Sequence, residues 1–239
     1  MSAPLPKRFY DVAGVLERED GFVVALDGKA VVTPARAPLA LPTSALADAV
    51  AAEWAAQVAV IDPATMPLTR LANAAIDGVA RARSEVAEDV VKYAGSDLVC
   101  YRADGPERLV ERQRLSWDPI LAFARDELGA RFVLAEGVMF VDQNDETIEA
   151  VRRAVRRHDD VFTLAALHTM TTLTGSALLA LGVLRGAHTV EEAWSAAHVD
   201  EDWNVELWGQ DDEAQARRDA RWLEMRAAAL MAELVARGA

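Results

Sequence analysis

An α+β fold, with a small N-terminal β-rich part followed by a larger mainly α-helical part, is predicted by three observations. Short β-favouring runs flank an Asp-Gly pair before residue 35, long alanine-rich amphipathic segments fill the rest, and 239 residues at 52% hydrophobic and 26% charged make a folded globular composition. A chain of this length buries ~70% of its unfolded surface and needs no disulfide or metal staple. The lone Cys100 agrees, since one thiol makes no internal disulfide and no cysteine-rich metal cluster, which fits a reducing compartment. The expected division is 1–60, hairpins plus one helix, and 61–239, mainly helical with a small hairpin near 132–141.

Asp27-Gly28 sits between Phe22–Leu26 and Lys29–Thr33 and tolerates the positive φ angles of a two-residue hairpin turn. Pro34, Pro38 and Pro42 punctuate an extended segment, Leu39 to Leu41, expected at a sheet edge. Thr43 or Ser44 offers a capping oxygen for a helix running to about Gln57. After Asp62-Pro63 another helix begins near Pro67. Leu68, Leu71, Ala72, Ala75 and Val79 form its apolar stripe, and Arg70, Asn73 and Asp77 a polar one expected to bracket helices or domains by hydrogen bonds. An amphipathic helix follows from Ser84 to Tyr93, Ser96–Tyr101 reads as extended or a tight turn, and a long helix runs from Pro106 to Leu128 until Gly129. Phe132–Leu134 and Val138–Val141, about Glu136-Gly137, read as the small hairpin. Everything from Asp145 reads helical, with breaks near Asp159, Gly186 and Gly209.

Lys plus Arg number 25 against 38 Asp plus Glu, a net charge of −13 that disfavours nucleic acid and favours a partner with basic patches. Arg152, Arg153, Arg156 and Arg157 read as a solvated helical face. Met1–Pro6 is too short and polar for a signal peptide, and no transit-peptide pattern precedes the fold. Val161–Leu184 carries no charged residue, but His168, Gly175, Ser176 and five threonines make it too polar for a membrane span and suit a central buried helix.

Chemistry-bearing motifs are scarce. Gly28-Lys29 lacks the upstream glycine of a phosphate loop, no G-x-G-x-x-G exists, and Gly175-Ser176 lacks the second glycine of a nucleophile elbow, so Ser176 reads as small-residue packing. Neither a cofactor nor catalysis is expected. Within a single predicted helix from Trp194 to Gly209, His198, Asp202 and Glu206 fall at i, i+4 and i+8 and share a face. A metal-dependent hydrolase built on those three is the alternative reading, although one helix rarely completes a site and the other histidines supply no matching carboxylates. The same helix carries Trp194, His198, Glu201, Val205 and Trp208 as a seam with one carboxylate in its middle. Glu201 there either pairs with an arginine or caps a neighbouring helix, or belongs to a polar contact ringed by aromatic anchors.

Ordered pieces over nearly the whole chain carry a resemblance. They are Lys7-Arg8-Phe9-Tyr10, Leu26-Asp27-Gly28, Thr33-Pro34, Glu53-Trp54 with Gln57, Met66–Asp77, Ser96–Arg102, Arg112-Gln113, Trp117-Asp118-Pro119-Ile120, and Glu191-Glu192-Ala193 leading to Trp208-Gly209. Together they resemble the assembly chaperones of the F-type ATP synthase alpha subunit. The resemblance implies a β-rich domain before a helical one, and an ATP-independent protein that holds the alpha subunit until it pairs with the beta subunit. It places the family's acidic functional position at Glu201 with Asp202 beside it, and so partner contact at Glu201, Asp202, Trp203, Glu206 and Trp208. Structural roles are expected for Trp54, Arg70, Asn73, Asp77 and Trp117, and no metal site. The chain departs from the family at Asn204, where Gln is usual, and at Gln210–Glu213, where acidic and His-Asp positions often follow Trp-Gly. Only three lysines, Lys7, Lys29 and Lys92, in an alanine-rich chain suggest a high-GC bacterial source. The expected protein is a cytoplasmic monomer not inserted in a membrane, or a mitochondrial matrix protein if eukaryotic.

Overall fold

Asp27 and Gly28 have φ of 48° and 78°, so both central positions of the first hairpin turn lie in the left-handed region that this turn requires. They join β2 (Gly21–Leu26) to β3 (Lys29–Ala30), with Leu26 opposite Lys29. The computed structural model describes residues 4–19, 21–137 and 139–238. Of the opening Met1–Pro6 segment, residues 1–3 lie outside the described residues. Strand β1 (Ala13–Arg18) pairs antiparallel with one side of β2, while β3 and β4 (Ala40–Leu41) share the other. A strand-rich region over residues 13–41 is thus followed by a mostly helical part, which makes the fold α+β.

Thr43 caps α1 (Ser44–Ala55), its Oγ accepting from the Leu46 amide at 3.2 Å. The helix lies on the sheet and buries Leu46, Ala47, Val50 and Ala51. Next come α2 (Pro67–Asp77), α3 (Arg83–Gly95) and α4 (Glu107–Phe123), the last widening into a π turn over Ala124–Leu128 that stops at left-handed Gly129. Beyond it lie α5 (Asp145–Val155), α6 (Val161–Thr174), α7 (Ala177–Leu184), α8 (Val190–Ala197), α9 (Val199–Trp208) and α10 (Asp212–Ala236). One apolar cluster runs without interruption from Val24 and Leu39 in the strands to Met225 and Met231 in α10; a second gathers Tyr10, Leu26, Ile61 and Met66.

Among the described residues of 132–141 the expected hairpin pairing is absent. β6 (Ala135–Glu136) instead pairs in parallel with β5 (Tyr101–Arg102), and the Gly137 amide donates to the Arg102 carbonyl at 2.9 Å. A side chain occupies the place of a strand partner: the Gln143 carboxamide accepts from the Val133 amide and donates to its carbonyl, both at 2.8 Å. Val138, the first residue of the expected second strand, lies outside the described residues.

The uncharged 161–184 stretch is two helices, not one. Gly175 turns left-handed at φ 69°, and Ser176 Oγ accepts from the Leu179 amide at 3.0 Å, so this serine caps α7. Across that break lies Asp97, fully buried. Its two carboxylate oxygens accept from the Val99 amide at 3.3 Å and the Leu178 amide at 3.1 Å, tying a short 3-10 turn at Leu98–Cys100 to the start of α7. Burial pushes this carboxyl up to about 6, against the opposing pull of its hydrogen bonds. Among the described residues no helix is long and apolar enough to cross a membrane. The α5 arginines are only partly a solvated face, since Arg152 holds Glu88 of α3 at 2.9 Å and Glu149 at 2.7 Å.

Candidate protein-binding groove

The segment from Trp194 to Gly209 folds as two helices that break at His198, where φ is −115° and ψ 18°. The imidazole causes the substitution of bonds: Nδ1 donates to the Trp194 carbonyl at 2.7 Å, while the His198 amide turns back to the Ser195 carbonyl at 3.2 Å. The ring is buried and stacked 4.0 Å from Trp194, so burial depresses its pKa, opposed first by the Trp194 carbonyl. The expected continuous seam therefore does not exist: Trp194 faces the core, whereas Trp208 stands 84% exposed.

α9 is held on its other sides by charged partners. Trp203 is buried beneath the guanidinium groups of Arg108 and Arg112, 5.6 and 5.7 Å from its ring. Arg112 also donates to Glu206 at 2.6 Å. Gln113 accepts from the Ala103 amide at 2.8 Å and donates to Asp200 at 2.7 Å, and Asp202 accepts from Arg218 of α10. Trp117, wholly buried, donates from Nε1 to the Ala196 carbonyl at 2.7 Å and fixes the end of α8. Of the predicted contact residues, then, Asp202, Trp203 and Glu206 are engaged within the molecule, while Glu201 and Trp208 face outward.

Among the described residues Glu201 pairs with no arginine and caps no neighbouring helix, although it lies in the first turn of α9 itself. Its side chain is 62% exposed, and the one basic nitrogen within 4 Å of it among the described residues is His198 Nε2 at 3.8 Å, on a ring whose burial disfavours the charged form. His198, Asp202 and Glu206 do not converge as a metal-dependent hydrolase requires, because each is tied to a different element: the Trp194 carbonyl, Arg218 and Arg112. Among the described residues no three His, Cys, Asp or Glu side chains could hold a metal ion. Between α9 and the start of α10 opens a groove of about 450 Å³, with Glu201, Val205 and Trp208 on one wall and Arg217, Arg218 and Arg221 on the other.

Away from the groove, Asp77 accepts from the Thr33 hydroxyl at 2.6 Å and the Ala35 amide at 3.0 Å, linking α2 to the strand region. Arg70 reaches Glu224 of α10 at 3.0 Å, whereas Asn73 Oδ1 is buried without a partner among the described residues. Trp54 lies edge-on to Tyr10 at 5.9 Å, and the Tyr10 hydroxyl donates to the Trp54 carbonyl at 2.7 Å. Arg108, Arg112, Gln113 and Arg218 carried no assigned role in the sequence. Arg112-Gln113 at least stood among the matching pieces, but nothing in spacing announces that Arg218 meets Asp202 across a helical hairpin.

An exposed indole beside charged groups has the composition common in binding hot spots, and the relatives of this chain point to chaperones. Residues 7–125 match the family model described as ATP12 chaperone protein. The crystal structure of the Atu1473 protein of Agrobacterium tumefaciens is 51% identical with a TM-score of 0.93, covering 97% of this chain and 87% of that one. Atp12 of Paracoccus denitrificans is 41% identical with a TM-score of 0.89, covering 96% and 98%, and a mutant of that protein matches equally in TM-score. The chain belongs to the ATP12 chaperone family.

Proposed function

We propose that this protein is an ATP-independent, non-catalytic assembly chaperone that holds the alpha subunit of an F-type ATP synthase and shields its interface until the beta subunit arrives. The observation that carries the reading is the outer wall of α9. Its other acidic side chains are satisfied internally, while Glu201 and, two turns farther along the same groove, the indole of Trp208 are left facing solvent. Binding hot spots are commonly an aromatic anchor with charge nearby, and the Trp208 indole, 84% exposed, is available for that part. The scarcity of lysine in an alanine-rich chain favours a bacterial source, and the proposed setting is that cell's cytoplasm, with the protein acting as a monomer.

Co-expression with the alpha subunit of the source organism tests this. The wild-type chain should co-purify with the alpha subunit and raise its soluble yield. Glu201→Ala and Trp208→Ala should each weaken retention, by about thirtyfold for an anchor contributing ~2 kcal/mol, with melting temperatures unchanged because both side chains are exposed. No association of the wild-type chain would refute the reading. Undiminished retention by both variants would refute the placement of the contact.

A further inference from the structure

In a chain of net charge −13, the groove between α9 and α10 has an opposite character on its α10 wall, where Arg217 and Arg221 stand one turn apart with Arg218 next to Arg217. Their commitments differ. Arg218 is held by Asp202 and is mostly covered. Among the described residues Arg217 forms its ion pair with Glu213, four residues earlier on the same helix, the two side chains being 62% and 85% exposed, and its charge also reaches Asp211 at the mouth of the same groove. Such a pair is worth little and exchanges readily for another carboxylate. Arg221 meets no carboxylate among the described residues; it donates to the Leu173 carbonyl at 2.7 Å, which leaves its positive charge uncompensated. Facing these arginines are Val205, 40% exposed, and the Trp208 indole, with Glu201 farther along the same wall.

From this juxtaposition we infer that the groove takes an acidic, apolar protein segment, a large hydrophobic side chain lodging against Trp208 and Val205 and an adjacent carboxylate pairing with Arg217 and Arg221. Overall acidity points to a basic partner, but the local field decides which residue docks here, because charges beyond about 8–10 Å are screened at physiological salt. Guanidinium groups donate two parallel hydrogen bonds to a carboxylate, which fixes its orientation as well as its sign. The indole supplies the buried apolar contact. Glu201 then acts as a selector, disfavouring a second carboxylate at its end of the groove, so that the bound segment has a direction. The inference rests on α9 being the client-binding edge, and it adds the chemistry of what is bound there.

The test uses the full chain and two eight-residue probe peptides, one alternating Leu and Glu and the other alternating Leu and Lys. Binding is followed by intrinsic tryptophan fluorescence, with Trp208→Phe identifying the signal from the groove. The Leu-Glu peptide should bind at least tenfold more tightly than the Leu-Lys peptide. Arg217→Gln with Arg221→Gln should abolish that preference, and Arg217→Lys with Arg221→Lys should keep most of it, with all variants melting alike. In parallel, the Gln pair should lower retention of the alpha subunit at least fivefold. Equal binding of the two peptides, preference for the Leu-Lys peptide, or a preference that survives the Gln pair would overturn the inference. If wild-type chain fails to retain the alpha subunit while the peptide preference holds, the proposed client is wrong and the groove's chemistry stands. If the subunit is retained and the peptides are not distinguished, the groove assignment alone is wrong.

Discussion

Replacing Asp97 by Asn should flatten the dependence of stability on pH between 7.5 and 4. In the native protein this carboxyl is fully buried and is pushed up to about 6, chiefly by desolvation, while donors from Ser176, Leu178, Val99 and Ala177 pull the other way. In the unfolded chain it titrates near 3.9. A carboxyl with a raised folded pKa binds its proton more tightly in the native state. Its contribution to stability is therefore full below the unfolded pKa and is lost as pH rises through the folded one. The full span is ~3 kcal/mol at 1.36 kcal/mol per unit, of which about 2 kcal/mol is gained by pH 4. The amide has no such proton to gain. It also has a single acceptor oxygen where the carboxylate presents two, so one of the Val99 and Leu178 amides loses its partner at a cost of ~1–3 kcal/mol. Urea melts of both proteins at pH 7.5, 6, 5 and 4 give the difference directly, and titrations of the other carboxylates cancel between them. The gap should widen by about 2 kcal/mol on acidification. Curves that stay parallel would show that Asp97 does not titrate in this window and would refute the reasoning.

Three further outcomes are expected. Trp117→Phe should cost ~2–4 kcal/mol in chemical denaturation, because it leaves the Ala196 carbonyl without its donor and puts a smaller ring in a fully buried site; a loss below 1 kcal/mol would mean that water or a shifted donor replaces the indole. Gly182→Ala should destabilise by ~1–3 kcal/mol, since the added methyl would sit 1.8 Å from His188 Nε2 and force that half-buried ring from its place against Phe123; an unchanged midpoint would mean that His188 moves freely. Elemental analysis after ordinary purification should find less than stoichiometric zinc, manganese or iron, because His198, Asp202 and Glu206 point to separate partners; a full equivalent would revive the hydrolase reading.

Where local chemistry decides the outcome, the amino acids announce the fold. Asp27-Gly28 demands its turn, Thr43 its helix start and Gly129 its helix stop, and all three stand as read. The failures share a cause. At 132–141, 161–184 and 194–209 the departure from the expected element is settled by a side chain satisfying backbone groups: Gln143 for Val133, Ser176 for Leu179, and His198 for the Trp194 carbonyl. Hydrophobic period carries no sign of such a bond. The candidate site was legible in part for the same reason. The helix before Trp208-Gly209 was singled out, but the break at His198 rotates Trp208 off the face of Trp194, so which acidic residues are free depends on the arginines of two other helices.

The Thr43 hydroxyl that begins α1 donates to the carbonyl of Leu234, 191 residues later, and α10 packs on α1, α2 and α6. A contact of such long range sets the order of events during synthesis. The β-hairpin and α1 can form as soon as they leave the ribosome, but the apolar cluster they share with Met225 and Met231 stays open until α10 emerges. For most of its own translation this chaperone is itself a nascent chain with an uncovered core. A stall or cleavage just before residue 212 would release a product that has most of the fold's residues and lacks the helix that closes it.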